Sequence, residues 1–270
     1  MGWIGQFGER GIMDVAKEVA KEAIVEKLGM GVLNSSKTFG LLCLPGSFYD
    51  RVFPEASLHI VHSYALQWLS GVPKETVTKD SPTWNKGKVH HASSGDQVIQ
   101  AYKAQYEKDM DKFLQAREHE VVSGGLMLLI FPCQSASHLS MDLVGYSLLD
   151  LAEKGIVTEE KVDSFSLLLY ATTLQEFEAT VERNGGFSIE RMEILPRSEF
   201  VNGNCPNGHQ ITTHMRAGLE GMIKRHFGED IVDELFDLYA KKADEILIPA
   251  MVKSAEQGVY LFVVLKRKAY

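Results

Sequence analysis

The stretch from residue 39 to residue 74, FGLLCLPGSFYDRVFPEASLHIVHSYALQWLSGVPK, contains the strongest local signals of the fold. Its first six residues are apolar and stop at Pro45-Gly46, a pattern that predicts a buried strand leading into a turn. Residues 57–61 predict a second strand, and Trp68 follows among several aromatic side chains. These residues alone indicate a strand, a loop and a helix with a packed tryptophan.

Strands and helices alternate on either side of this stretch, without an internal repeat or a long linker. Apolar residues at helical spacing predict helices over residues 13–28, 97–118, 138–154, 173–184 and 208–246, the last broken near Phe227-Gly228. Short apolar or alternating segments predict strands over residues 126–131, 187–195 and 258–268. This alternation indicates an α/β fold with a mainly parallel sheet, in which the final segment is an edge or closing strand.

Two of these helices have recognisable capping residues at their ends. Gly155 follows the helix over residues 138–154, where a glycine is a common C-terminal cap. Thr173 precedes the next helix and is suited to an N-terminal cap, and Asn184-Gly185 is suited to its end. We therefore expect these helix boundaries to lie close to the predicted positions.

The composition is that of a globular protein with a small-molecule ligand. Of 270 residues, 45% are apolar and 24% are charged, which excludes a disordered or low-complexity chain. The net charge of -8 argues against broad nucleic-acid binding. No apolar run approaches the length of a membrane-spanning helix, and no signal peptide is recognised. The three cysteines are widely separated, which fits a reducing compartment. We expect a soluble cytoplasmic protein.

Several isolated motifs favour a structural role over a chemical one. Glycines recur every three residues from Gly2 to Gly11, but no strand precedes them, so a flexible terminus is favoured over a phosphate-binding loop. Cys43 is interpreted as a buried structural thiol. Cys205, His209 and His214 lack a second cysteine pair, so polar loop residues are favoured over a zinc site. The pair His90-His91 is expected at the surface.

The segment over residues 45–74 resembles the plant SABATH family of S-adenosylmethionine-dependent carboxyl methyltransferases. That family carries PGSFYxRLFP followed by SLHxxxSxxxLxWLSxxP, and the matching residues here are Pro45 to Pro54 and Ser57 to Pro73. PTWNKGKV at residues 82–89 and THMRAGLEGMIKRHFG at residues 213–228 are also similar to family segments. The resemblance extends over about residues 40–268.

The resemblance implies a Rossmann-like methyltransferase sheet with a helical cap. The first part of a partial Rossmann-like domain is expected over residues 1–135, the cap over 136–185 and 205–250, and return strands over 186–204 and 251–270. The sheet is expected to be N-terminally incomplete, because the family's glycine-rich cofactor turn is not found between the helix over residues 13–28 and residue 40.

The resemblance also assigns binding residues. Ser47 and Phe48 match the pair that contacts the adenosyl part of S-adenosylmethionine, with a turn serine and a core phenylalanine as the alternative. Tyr64, Gln67 and Trp68 match the acceptor pocket, where the amide and the indole N–H hold the substrate carboxylate. Two methionines match apolar pocket positions, although either is equally compatible with the core: Met141 and Met215.

Some members of the family bind Mg²⁺, and the matching ligands are Asn85, Asp163 and the backbone oxygen of Phe165. Ser166 stands where the family usually has an asparagine, and a helix cap or a solvated position is the alternative for Asp163.

The implied function is methyl transfer from S-adenosylmethionine to the carboxylate of a small plant acid, giving a methyl ester. A carboxylate is ionised at pH 7, so no catalytic base is expected. A homodimer, or a heterodimer with a full-length relative, is also implied. The alternative is a catalytically impaired, truncated relative that binds a ligand or serves as a dimer partner. Neither nucleic acid nor a membrane is expected as a partner.

Overall fold

The computed structural model describes residues 47–64, 66–133, 138–195, 206–253 and 260–269. The predicted helix over residues 13–28, the predicted strand over 39–44 and the N-terminal glycines lie outside these described residues, as do Cys43 and Cys205.

The described elements alternate between strands and helices, as the sequence predicts. The strands are β1 (Leu58–Tyr64), β2 (Val121–Pro132), β3 (Phe187–Leu195) and β4 (Tyr260–Arg267). The α-helices are α1 (Asp96–Glu120), α2 (His138–Glu153), α3 (Glu159–Asp163), α4 (Leu174–Asn184), α5 (Gly208–Phe227), α6 (Val232–Lys242) and α7 (Ile248–Lys253). A short 3₁₀ helix spans Lys74–Thr76, and a π-helical turn, Ala243–Leu247, joins α6 to α7.

The helix ends confirm the predicted caps. Thr173 and Glu176 form a capping box, in which each side chain accepts a hydrogen bond from the other residue's backbone N–H. The same helix ends at Gly185, whose φ of 77° lies in the left-handed region that glycine adopts without strain. Gly155 ends the turn after α2 with a φ of 73°. The predicted break near Phe227-Gly228 is confirmed, because α5 ends at Phe227.

The described strands form one mixed sheet in the order β1-β2-β4-β3. β1 and β2 pair in parallel and are joined by the crossover helix α1, whereas β4 runs antiparallel to both β2 and β3, so β1, β2 and β3 share one direction. Three of the four described strands therefore run in the same direction, as expected of a mainly parallel sheet, and β4 is the exception. The chain returns through β4 in the opposite direction after the helices α5 to α7, and strand–helix alternation does not reveal that reversal.

The position of β4 also corrects the expectation of an edge strand. It lies between β2 and β3, pairing Val263 with Leu129 on one side and with Met192 on the other. Its run from Leu261 to Leu265 is buried throughout. A continuous apolar run is typical of a strand covered on both faces, whereas a half-exposed strand alternates.

Two apolar clusters lie on the two faces of the sheet. Alternate residues of β2 divide between them, with Leu129 in the larger cluster and Leu128 in the smaller one. The larger cluster includes buried side chains of α1 and α4: Tyr102, Tyr106, Met110, Phe113, Leu114, Phe177 and Val181. The long helix α1 is thus anchored on the sheet by its aromatic face.

A third apolar cluster, here called the cap cluster, is formed mainly by helices. Its buried members include Leu143 and Leu148 of α2, Met215 and Leu219 of α5, and Leu235 of α6. Helix α4 falls within the predicted cap range of residues 136–185 but packs with α1 and the sheet. The predicted domain boundaries stay a prediction. No helix in the described residues is long and apolar enough to cross a bilayer.

Candidate active site

Ser47 and Phe48 lie in a tight turn at the surface. The backbone N–H of Asp50 donates to the Ser47 carbonyl over 2.9 Å, and the N–H of Tyr49 donates to the Ser47 hydroxyl oxygen over 3.3 Å. The Phe48 ring centroid lies 4.1 Å from that of Tyr49 and 6.3 Å from that of Phe113. Phe48 is nevertheless 41% exposed. The turn therefore presents an aromatic ring beside a hydroxyl, which differs from the alternative of a core phenylalanine.

The turn is held by a buried ion pair at the end of α1. Arg117 donates from Nη1 to the carbonyl of Phe48 over 2.9 Å and from Nη2 to the carbonyl of Asp50 over 2.8 Å. Its Nε lies 2.7 Å from Oε2 of Glu120, and the relative exposures of the two side chains are 6% and 0%. Glu120 Oε1 accepts the backbone N–H of Phe53 over 2.9 Å. Sequence reasoning missed this pair, because alternating charges near a helix end are typical of a solvated face.

After β1, Gln67 lies in a turn and Trp68 lies in a short β-bridge, where sequence alone indicated a helix. The N–H of Tyr170 donates to the Gln67 carbonyl over 2.9 Å, and Trp68 forms an isolated β-bridge with Leu169. Oε1 of Gln67 is buried and has no hydrogen-bond partner among the described residues. The Trp68 side chain is partly buried against the cap cluster. The segment thus presents a tryptophan and an unsatisfied amide oxygen beside the helical layer.

The segment that contains Trp68 and Ser70 is held by one side chain of α1 and by one side chain of the Phe48 turn. Asp109 is 3% exposed, and its carboxylate accepts the Ser70 backbone N–H over 2.8 Å and the Ser70 hydroxyl over 2.6 Å. The hydroxyl of Tyr49 donates to the main-chain carbonyl of Trp68. Burial and, secondarily, the charge of Asp109 raise the pKa of Tyr49, so this hydroxyl stays protonated as a donor.

Three of the predicted acceptor residues belong to the cap cluster or pack against it. Met215 is buried within it, and Met141 and Trp68 are partly buried against it. Tyr64 is the last residue of β1, and its side chain lies outside the description. The structure therefore places Trp68 and both methionines in or against one apolar cluster, and it joins Trp68 to the Phe48 turn through Tyr49. The binding roles of these residues stay predictions.

Comparisons with known proteins agree with this arrangement. The family model described as SAM dependent carboxyl methyltransferase matches residues 15–268. The chain belongs to this family. It is 40% identical to loganic acid O-methyltransferase of Catharanthus roseus over 247 residues, which cover 87% of this chain and 66% of the relative. It is 35% identical to jasmonate O-methyltransferase of Arabidopsis thaliana over 249 residues, which cover 82% of this chain and 64% of the relative.

A solved structure of this carboxyl methyltransferase family has the same fold. Loganic acid methyltransferase with SAH (S-adenosylhomocysteine) aligns with a TM-score of 0.81 at 37% identity, covering 88% of this chain and 69% of that chain. This match confirms the methyltransferase fold. The chain spans about two thirds of the length of the relatives it matches. The comparisons give no support to the alternative of a catalytically impaired partner protein.

Residues that match the family's magnesium ligands are engaged in bonds within the protein. The Asn85 amide donates to the carbonyls of Lys88 and His90 over 3.2 and 3.3 Å, and its Oδ1 accepts the Ser94 hydroxyl over 2.6 Å. One Asp163 oxygen accepts the Gly87 N–H over 2.8 Å.

The third predicted ligand, Phe165, packs its ring 5.1 Å from that of Phe227, measured between centroids. The described residues include no group of three His, Cys, Asp or Glu side chains suited to a metal ion. Asn85 Oδ1 and one Asp163 oxygen are thus already engaged in hydrogen bonds within the protein. The magnesium assignment stays a prediction, and no step of the chemistry is derived from it.

His90 and His91 lie in the interior, which corrects the expectation of a surface pair. Their relative exposures are 3% and 0%, and their ring centroids are 4.3 Å apart. The His91 ring stacks between Tyr102 and Tyr170, with both centroids 4.9 Å away. Burial, assisted by the charge of His138, lowers the pKa of His91 to about 4. Aromatic packing against α1 explains the burial.

His209 belongs to the segment that was interpreted as a polar loop, and His214 is its near neighbour in the sequence. They are exposed on α5 and not in a loop.

Proposed function

We propose that this chain binds S-adenosylmethionine and a small plant acid and serves the methylation of the acid's carboxylate. Family membership and the SAH-containing structural relative support this proposal. The observation that carries it is the hydrogen bond from Tyr49 to the Trp68 carbonyl, because it joins the two sets of predicted binding residues.

The Ser47–Phe48 turn is suited to the adenosyl part of the cofactor. The partly exposed ring of Phe48 offers a face on which an adenine can stack, and the Ser47 hydroxyl can donate or accept a hydrogen bond. We therefore assign these two residues to cofactor binding.

The segment from Gln67 to Trp68 is suited to the acid. A neutral amide N–H and an indole N–H can hold a carboxylate without neutralising its charge by proton transfer. Tyr64, Met141 and Met215 complete the proposed acceptor pocket. The apolar surroundings of Trp68 and both methionines favour an acid with a hydrophobic body and a single carboxylate. Named relatives include methyltransferases for loganic, gibberellic and farnesoic acids and for jasmonate.

The proposed chemistry requires little proton transfer from the protein. S-adenosylmethionine supplies, when bound, a methyl group carried by a positively charged sulfur. The acceptor carboxylate is ionised at pH 7 and needs no general base. The residues of this chain would therefore bind the acid, orient its oxygen toward the methyl group and exclude water. The products are the methyl ester and S-adenosylhomocysteine, and no proton is released.

Calorimetric titration with S-adenosylhomocysteine tests the proposal first. We expect saturable binding by the unmodified chain, and an increase of about tenfold in Kd for Phe48→Ala, since base stacking on an aromatic ring contributes about 1–3 kcal/mol. Tyr146→Ala is the matched control, because Tyr146 is also an exposed aromatic residue, at 47%, but lies on α2.

Mass spectrometry of mixtures with S-adenosylmethionine and loganic or jasmonic acid then detects ester formation. A folded chain that binds no S-adenosylhomocysteine would contradict the proposal.

The homodimer, the heterodimer with a longer relative, the cytoplasmic location and the magnesium ion also remain predictions from the family resemblance. Size-exclusion chromatography with light scattering would test the oligomeric state.

A further inference from the structure

The turn that carries Phe48 is held both by the buried side chain of Tyr49 and by hydrogen bonds to its backbone. Arg117 binds the carbonyls of Phe48 and Asp50, which lie on either side of Tyr49. Glu120 Oε1 accepts the backbone N–H groups of Val52 and Phe53 over 2.5 and 2.9 Å. Four backbone groups of the turn are therefore fixed by one pair of side chains.

Further hydrogen bonds to α1 hold the residues that follow the turn. The N–H groups of Ala56 and Ser57 donate to the carbonyls of His119 and Glu120, each over 2.9 Å. The segment before β1 is thus hydrogen-bonded to the C-terminal end of α1. The bonds made by Arg117 and Glu120 hold the residues that precede this segment. Because α1 is anchored on the sheet, the orientation of the turn follows from the position of Arg117.

The Phe48 ring makes its closest aromatic contact within its own turn, where its centroid lies 4.1 Å from that of Tyr49. It is 41% exposed and meets Phe113 only edge-on, at 6.3 Å between centroids. The Arg117 guanidinium lies 5.2 Å from the centroid of the same Phe113 ring. Because the nearer ring, Tyr49, belongs to the same turn, the direction in which Phe48 points depends on the backbone of that turn, which Arg117 holds.

We propose that Arg117 and Glu120 are positioning residues for the cofactor, holding the Ser47–Phe48 turn so that the Phe48 ring is preorganised for the adenine. This inference rests on the proposed function and assigns a role to an ion pair that does not itself touch the ligand. Binding gains from preorganisation because less conformational freedom is lost when the ligand arrives.

Arginine is specifically suited to this role. Its planar guanidinium directs several N–H groups at fixed angles, so it can reach two carbonyls and a carboxylate together. Lysine retains the positive charge beside Glu120 but places its donors on a single nitrogen. Arg117→Lys thus keeps the charge balance but loses some of the hydrogen bonds to the carbonyls of Phe48 and Asp50.

The test is the affinity of Arg117→Lys for S-adenosylhomocysteine, measured by calorimetry beside its thermal unfolding. We expect Kd to rise about tenfold or more while the variant remains folded. Two controls isolate the effect. Arg183→Lys makes the same exchange in the exposed pair with Asp111, and Lys112→Gln removes an exposed contact to the Asp50 side chain of the same turn. Both controls should leave Kd within about twofold of the unmodified chain.

A double-variant measurement separates positioning from general stability. If Arg117 acts through Phe48, then Arg117→Lys should change Kd less than threefold when Phe48→Ala is already present. Equal losses in both backgrounds would overturn the proposal, as would an unchanged Kd for Arg117→Lys. If Arg117→Lys does not fold, Glu120→Gln replaces it, because the amide oxygen retains an acceptor for Phe53 while the ion pair is lost. Glu120→Gln should then raise Kd in the unmodified background and change it less than threefold when Phe48→Ala is already present. Failure of the unmodified chain to bind would instead refute the proposed function.

Discussion

The hydroxyl of Tyr49 donates a hydrogen bond to the main-chain carbonyl of Trp68, nineteen residues along the chain. Tyr49 is adjacent to Phe48, and Trp68 is adjacent to Gln67, so one bond joins the proposed cofactor turn to the proposed acceptor segment. A displacement of either side would therefore be transmitted to the other.

Tyr49→Phe should weaken this connection. The Trp68 carbonyl loses its donor in a partly buried position, and we expect the free energy of unfolding to fall by about 1–2 kcal/mol. Urea unfolding measures the change. Tyr239→Phe is the matched control: Tyr239 is buried, but its hydroxyl has no hydrogen-bond partner within the described residues, so its loss should cost less than about 0.5 kcal/mol. Equal losses for both variants would contradict the importance of the bond.

Asp109→Ala should destabilise the segment that follows Trp68. It leaves the Ser70 backbone N–H and hydroxyl without their acceptor, and also affects the Gln105 amide, which lies 2.9 Å from the carboxylate. We expect a loss of about 2–3 kcal/mol in unfolding free energy. Asp111→Ala, two residues along the same helix, removes an exposed ion pair with Arg183 and should cost less than about 1 kcal/mol. A small effect of Asp109→Ala would show that Ser70 finds another partner.

The buried histidines should make stability depend on pH. The pKa of His91 is about 4 in the folded chain, against 6.5 for an unperturbed histidine, so the unfolded chain binds more protons between these values. Stability is therefore fully present above about pH 6.5 and falls as the pH drops toward 4. His90 and His138 have lowered pKa values for the same reason, burial, whereas the Glu176 carboxylate partly offsets the effect at His91.

His91→Phe tests this dependence, because a phenyl ring can stack between Tyr102 and Tyr170 without titrating. Urea unfolding at pH 7.5, 6 and 5 should show a shallower loss of stability for this variant. The exposed His214→Gln should keep the steep dependence of the unmodified chain. An unchanged slope for His91→Phe would place the titration at other groups.

Trp68→Ala should abolish binding of the acid in the presence of S-adenosylhomocysteine, since it removes both the indole N–H and the apolar face at the cap cluster. Trp68→Phe keeps an aromatic ring but no N–H donor, and should weaken acid binding by about tenfold. Calorimetry with loganic acid or jasmonic acid as the probe measures both. Unchanged acid affinity in Trp68→Ala would contradict the assignment of the acceptor pocket.

Local features of the fold were predictable where neighbouring residues determine them. The cap at Thr173, the left-handed Gly185 and the apolar core of β2 all follow from short-range patterns. The place of β4 between β2 and β3 did not follow, because β4 pairs with strands far from it in the sequence, and β2 lies more than a hundred residues earlier. The apolar run from Leu261 to Leu265 was the available signal of an interior strand.

The candidate site was predictable only in part. Ser47, Phe48 and Trp68 were found through the family resemblance, and their types suit the proposed contacts. Arg117 and Glu120 were missed because charged residues on a helix are usually exposed, and nothing local reveals that the Phe48 turn covers them.

The interior position of β4 also orders the assembly of the sheet during synthesis. β3 leaves the ribosome before β4, yet it has no hydrogen-bonded neighbour in the described sheet until β4 is in place. Within the described sheet, β3 therefore stays unpaired while the chain from Leu195 to Tyr260, with the helices α5 to α7, is made. That interval is when a chaperone, or a misplaced strand from another molecule, would have access to β3.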